Sequence, residues 1–191
     1  MNAVIEVDRK EQIMRDAVEI IATQGYAKFT MRALARVSNL KLGALQYHYP
    51  TWEALLRALA DYVSEQYTLS LQALEGEFND LSIHTLADWY FEGAGGNALR
   101  AEFLWPQLWA MGHVEPAMRE ALHSIYSEVL AIFTAAFARA GSSHPHLDAI
   151  KLVSLGEGSL LFVSAEGPWQ ADASAMYEAV KAELWDRFPN A

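Results

Sequence analysis

Apolar positions recur along this chain with a helical period, and no stretch alternates in the manner of a strand. From Arg9 to Gln24, Ile13, Ala17, Ile20, Ile21 and Gln24 fall at i, i+4, i+7, i+8 and i+11, a stripe that is apolar but for its last member. Gly25 follows where a helix end favours a left-handed residue, and Tyr26 and Phe29 stand behind it as apolar plugs. Thr30 is a good N-cap for a second short helix, Met31 to about Val37. Ser38-Asn39-Leu40 reads as a tight turn, because Asn tolerates positive φ better than most residues. A third short helix runs from about Lys41 to Tyr47. Pro50 ends it, and Thr51 caps a fourth helix that carries Leu55, Leu56, Leu59 and Val63 and reaches about Glu75.

The remainder predicts helices near Leu81–Gly93, Ala98–Met111, Pro116–Ala140, Leu147–Ala165 and Asp172–Phe188, separated by Gly93–Asn97, Gly112-His113, Gly141–Pro145 and Gly167-Pro168. Pro116 suits a first helical position. Pro106 should disturb its helix, since it deletes one backbone bond and crowds the preceding turn. The expected fold is therefore all-α with about nine helices. Residues 1–50 form a three-helix head, residues 51–191 a C-terminal helical bundle, and the helix over 51–75 joins them.

Composition fits a globular chain: 191 residues, 52% hydrophobic and 20% charged, with no cysteine. Glu6 and Asp8 stand where a signal peptide would be basic and then apolar. No span reaches about 18 uncharged apolar residues, as a membrane helix requires, and the best candidate, Leu152 to Ala165, is interrupted by Glu157. A cytoplasmic protein without membrane association is expected. The net charge of −10 argues at first against a nucleic acid partner, but its distribution reverses that. Residues 1–60 hold eight basic and six acidic side chains, a net of +2, and the rest holds six basic and eighteen acidic, a net of −12. Any phosphate-binding surface belongs to the first third.

Two short helices joined by a three- or four-residue turn make a helix-turn-helix, whose second helix can enter the major groove. Leu42 and Leu45 would hold that helix against the head. Gly43 and Ala44 would let its backbone approach bases or a thymine methyl. Lys41 and Gln46 reach base edges or phosphates, and Tyr47 and His48 offer polar tips to phosphate oxygens. Arg32 adds a cation, and the backbone N–H groups behind Thr30 and Thr51 are suited to phosphate.

Helix one ending in Gly25-Tyr26, the run Phe29-Thr30-Met31-Arg32-Ala33-Leu34-Ala35, the run Leu40 to Pro50 and the segment Thr51-Trp52-Glu53-Ala54-Leu55 together resemble the TetR family over about residues 9–60. Gly43, Leu45, Tyr47, His48 and Tyr49 match that family's Gly-x-Leu-Tyr-x-His/Tyr-Phe-like run. Lys41, Asn39, Trp52 and Gln46 depart from it, standing where a small residue, a glycine, a lysine and an aromatic are usual. The resemblance implies a ligand-responsive transcriptional regulator, a repressor for preference, that binds a palindromic operator on double-stranded DNA as a homodimer.

It further implies that the last two helices pair with their copies in a second subunit. The sequence permits this, with Leu152, Leu155, Gly156, Ser159, Phe162 and Val163 on the penultimate helix and Tyr177, Val180 and Leu184 on the last as candidate interface residues. An intramolecular core is the other reading of the same apolar faces. The middle helices are rich in aromatics, and the resemblance places the pocket for a small-molecule effector there. Trp89, Phe103, Trp105, Trp109, Met111, Tyr126, Phe162 and Glu166 are the candidate ligand contacts. Asp88, Glu102, Glu157 and Glu166 near such rings would suit an amine or quaternary ammonium.

Catalysis is not expected. Glu120-Ala-Leu-His123 has the spacing of a di-iron bundle ligand pair but no second copy, and His113-Val-Glu115 and His144-Pro-His146 sit at predicted breaks. There is no Gly-x-Ser-x-Gly, phosphate loop or His-Glu-x-x-His. No metal or cofactor is implied. A helical ligand carrier without a DNA role remains the alternative.

Overall fold

The computed structural model describes residues 2–72, 81–91, 101–162 and 168–189, with side chains over 9–69, 81–91, 103–160 and 168–189. Among the described residues there are nine α-helices: α1 (Asn2–Gln24), α2 (Met31–Val37), α3 (Leu42–His48), α4 (Trp52–Gln72), α5 (Ile83–Phe91), α6 (Ala101–Val114), α7 (Pro116–Arg139), α8 (Pro145–Phe162) and α9 (Ala173–Arg187). They form two compact units. The first takes in Met1–Gln66 and Leu99–His123, the second Tyr67–Ala98 and Ser124–Ala191, so α4 and α7 each contribute residues to both.

In the first unit the predicted stripe of α1 is the core: Ile13, Ala17, Ile20 and Ile21 are buried, with Leu34 and Ala35 of α2, Leu45 of α3, Leu55, Leu59 and Val63 of α4, and Leu104, Leu108 and Met111 of α6. α1 packs against both α2 and α6. Helix α6 runs through Pro106 and past Gly112, the predicted break, to Val114. Gly112 is buried, and a Cβ on it would lie 2.8 Å from Leu122 Cδ1, so the glycine marks a close approach to α7 rather than an end. The stop comes at Glu115, the residue ahead of Pro116, where the proline ring disfavours helical backbone.

The second unit is built on α5, with Ile83, Leu86, Ala87, Trp89 and Phe91 buried. Helix α7 adds Ile125, Val129, Phe133 and Phe137, and α8 adds Ala149, Leu152 and Val153. The end of α9 is tied down: the His84 imidazole stacks on Trp185 at 3.7 Å between centroids and lies 2.9 Å from the Phe188 carbonyl oxygen. Asp148 accepts from the Ser142 hydroxyl at 2.7 Å and from Arg187 at 2.9 Å. Among the described residues one helix, α7, is long and apolar enough to cross a membrane, with a window of mean hydropathy 1.4. Its Met118, Leu122, Ile125, Val129, Phe133 and Phe137 are turned into the protein core.

Candidate nucleic-acid interface and effector site

The head is set by local chemistry. Thr30 caps α2 by accepting from Ala33 N–H at 3.1 Å, and Thr51 caps α4 by accepting from Ala54 N–H at 3.1 Å. Asn39 takes φ 52° in the turn, as expected. Gly25 has φ 80° and ψ 159°, a conformation almost confined to glycine. Lys41 lies one residue outside the expected helix: with φ −70° and ψ 145° it is the N-cap of α3, which starts at Leu42.

Helix α3 points one side chain inward and most of the rest out. Leu45 is fully buried and Leu42 and His48 are half-buried. Lys41, Gly43, Ala44, Gln46 and Tyr47 are exposed, Tyr47 to 81%. A Cβ on Gly43 would meet nothing within 4 Å. Thr30, Arg32 and Thr51 are also exposed. Beside α3 lies an open groove lined by Arg32, Ala35, Arg36, Asn39, Leu40, Lys41 and Leu42, so three basic residues border it next to the helix that carries the small residues. Arg36 and this groove escaped the sequence reading; their signal was the i, i+4 spacing of Arg32 and Arg36 on a short helix.

Three other cations of the first unit are engaged. The Arg9 guanidinium donates to the Ser38 carbonyl at 2.6 Å and so fastens the turn between α2 and α3 to α1. Arg15 pairs with Glu11, and Arg57 pairs with Glu53 at 3.4 Å. Trp52, which takes the place of a usual lysine, packs its ring on Phe29 at 5.2 Å and donates Nε1–H to Glu115 at 3.3 Å. The Tyr26 hydroxyl donates to the same Glu115 oxygen, and Tyr26 N–H donates to Gln107 at 3.0 Å. Burial, together with the Glu115 hydrogen bond and charge, pushes the Tyr26 phenol up to about 12. This clasp joins the end of α1, the start of α4 and the α6–α7 corner within the first unit.

The candidate ligand residues divide. Phe103, Trp105, Trp109 and Met111 lie on α6 in the first unit, Met111 and Trp105 buried and Phe103 and Trp109 half-buried. Trp89 and Tyr126 lie in the second unit. The Phe162 side chain, Val163 and Glu166 lie outside the described residues, as does the Glu102 side chain. In the second unit the structure brings together residues that lie far apart along the chain. The Tyr90 hydroxyl donates to Glu157 Oε1 at 2.6 Å, and the Tyr126 hydroxyl also hydrogen-bonds Glu157. The Tyr67 ring meets Trp89 edge-on at 5.8 Å, and Tyr90 meets Phe133 in the same way at 5.5 Å. Burial raises the Glu157 carboxyl above the ordinary range, and the two tyrosine hydrogen bonds pull it part of the way back. Burial first, and Glu157 second, also raise the phenols of Tyr67 and Tyr90. Glu157 Oε2 and Trp89 Nε1 are buried without a hydrogen-bond partner.

Of the candidate interface residues, Leu152, Ser159 and Leu184 are buried in their own unit, Tyr177 and Val180 are half-buried, and Leu155 is exposed. Gly156 faces the Tyr90 ring. The exposed apolar side of α8 carries Leu147 and Ile150 with Leu155, and α9 exposes Trp185. Glu120 and His123 are exposed on α7, and among the described residues no three metal-ligating side chains cluster.

Residues 13–59 match the family model described as bacterial regulatory proteins, tetR family. No curated protein sequence matches the chain. Among solved structures, GusR of Salmonella enterica is similar with a TM-score of 0.72 at 19% identity, over 95% of this chain and 96% of that one. A TetR transcription regulator from Haloarcula marismortui gives 0.75 at 16% identity, over 96% and 97%. The multidrug binding protein EbrR, complexed with ethidium, gives 0.65 at 22% identity, over 92% and 98%.

Proposed function

We propose that this chain, whose residues 13–59 match the model of the tetR family of bacterial regulatory proteins, is a ligand-responsive repressor acting as a homodimer on a palindromic operator. One observation carries this reading: α3 exposes Lys41, Gly43, Ala44, Gln46 and Tyr47 around a single buried anchor, Leu45, beside a groove of three cations. Lys41, Ala44 and Gln46 contact bases, with Leu42 and Gly43 completing the surface. Thr30, Arg32, Tyr47, His48 and Thr51 hold phosphates. A two-fold operator calls for a two-fold protein. The exposed apolar residues Leu147, Ile150 and Leu155 of α8 and Trp185 of α9 support a pairing face there. The effector binds in the C-terminal body and favours one spacing of the two heads over the other. EbrR, a protein of the same fold solved with ethidium, supports that division of labour.

Gel shift with fragments of the source genome tests the DNA reading. Tyr47→Ala and Lys41→Ala should stay folded and dimeric yet bind more weakly, Tyr47→Ala on all sequences alike, and wild-type affinity should fall steeply with salt. Unchanged affinity in both variants removes the assignments. Leu155→Glu should shift the mass in solution from dimer to monomer; a dimer that survives it moves the pairing face elsewhere.

A further inference from the structure

We propose that Glu157, with Tyr90 and Tyr126 hydrogen-bonded to it and the rings of Tyr67 and Trp89 beside them, is the binding site for an organic cation that bears N–H donors, a protonated amine or amidine. This deepens the effector reading given above and rests on it for the ligand's regulatory role, but not for its binding.

The site has the marks of construction. Tyr90 reaches Glu157 only because residue 156 is glycine: a Cβ there would lie 2.9 Å from Tyr90 Cδ1 and closer still to Cε1. Two tyrosine hydroxyls converge on the carboxylate, Tyr90 on Oε1 at 2.6 Å. Two donors suffice to position a carboxylate but not to neutralise it, and Oε2 is left buried with no partner. A carboxylate supplies about four acceptor sites, so this one retains capacity for a charged donor. Burial among aromatic rings strengthens whatever bond that donor makes. The ring faces add cation–π attraction and discriminate against anions. The indole Nε1–H of Trp89 is a second orphan, of opposite sense, in the same aromatic group. A ligand that carries an ammonium and, elsewhere, a hydrogen-bond acceptor satisfies both.

A purely structural Glu–Tyr–Tyr network accounts for the two tyrosine bonds but leaves Oε2 idle and gives no reason to keep a charge there, since glutamine would accept the same hydroxyls. A quaternary ammonium would supply charge without a donor and leave Oε2 as it is.

The test uses the full-length protein and three matched probes: phenethylamine, 2-phenylethanol and phenylacetate, with tryptamine as a larger amine. Calorimetric titration should show both amines binding at least roughly tenfold more tightly than the alcohol, with no detectable binding of the carboxylate. Glu157→Gln should remove that preference. If the variant fails to fold, the wild-type comparison of amine, alcohol and carboxylate still decides. The proposal is overturned if the alcohol or the carboxylate matches the amines, if neither amine binds, or if folded Glu157→Gln binds amines undiminished. A gel shift separates this from the regulator reading. Amines that bind through Glu157 without affecting DNA binding uphold the site and remove its regulatory role. Release of DNA by a neutral or anionic compound, with neither amine binding in the titration, upholds the regulator and removes the site.

Discussion

Substituting Gly156 by alanine is the sharpest probe of the second unit. The new Cβ would sit 2.9 Å from Tyr90 Cδ1 and 3.2 Å from Cζ, with Cε1 nearer than either, against a usual carbon–carbon separation of about 3.5–4.0 Å. Tyr90 has little room to yield. Its hydroxyl is held by Glu157 at 2.6 Å, and its ring is flanked by Phe133 at 5.5 Å and Phe91 at 5.7 Å. Overpacking of this kind costs about 1–3 kcal/mol. If the ring swings away, a hydrogen bond to a charged group worth about 1.5–3 kcal/mol goes with it. Alanine returns about 0.5–1 kcal/mol as the better helix former. With both losses the net is about 1.5–5.5 kcal/mol, which at roughly 2–4 °C per kcal/mol for a chain of this size lowers the melting temperature by about 3–22 °C. Calorimetric melts of the wild type, Gly156→Ala, Tyr90→Ala and the double variant measure it. In the Tyr90→Ala background the Gly156→Ala penalty should vanish, since the clashing partner is gone. A Gly156→Ala protein within about 0.5 kcal/mol of the wild type, or a penalty that persists without the ring, would show that α8 and α5 do not meet there as described.

Glu115→Ala should lower stability by about 1–3 kcal/mol, because it strands the Tyr26 hydroxyl and the Trp52 indole; chemical denaturation measures this, and an unchanged midpoint counts against the clasp. Since the folded protein holds the Tyr26 proton more tightly than the unfolded chain, the stability that Tyr26 contributes is complete below pH 10 and lost as pH rises towards about 12. Tyr26→Phe should flatten that alkaline loss, read from melts across the range. Gly43→Ala should raise the melting temperature, by about 0.5–1 kcal/mol of helix preference, while weakening operator binding in gel shift if DNA passes close to α3. Gly158→Ala has open space within 4 Å in the single chain, so the same substitution two residues after Gly156 should stabilise an isolated subunit; a destabilised dimer would place a partner helix against it.

What could be read directly from sequence was local. Thr30, Gly25, Asn39 and Thr51 act through hydrogen bonds or backbone angles within a few residues, and each does in the structure what its type suggests. Pattern failed where two explanations share one signature. Gly112 looked like a stop and is a packing contact with Leu122, while the stop is a consequence of Pro116. Helix α8 is apolar nearly all round, so its period could not say that Leu152, Val153 and Ser159 are buried while Leu147, Ile150 and Leu155 are exposed. The long-range contacts had no local trace at all. Tyr26 meets Glu115 across 89 positions, and Tyr90 meets Glu157 across 67. Composition singled out Glu157 as one of four carboxylates; only the fold supplies the glycine and the two hydroxyls that set it apart.

The vacancy beside Gly43 has a consequence for how such a protein diversifies. Nothing in the subunit occupies the space a side chain would fill at that position, so folding places no veto on what stands there. If α3 lies in a groove as proposed, the constraint that keeps it bare acts from outside, through the duplex. A lineage that acquires a new target sequence can therefore rewrite this position first, with no compensating change elsewhere in its own architecture.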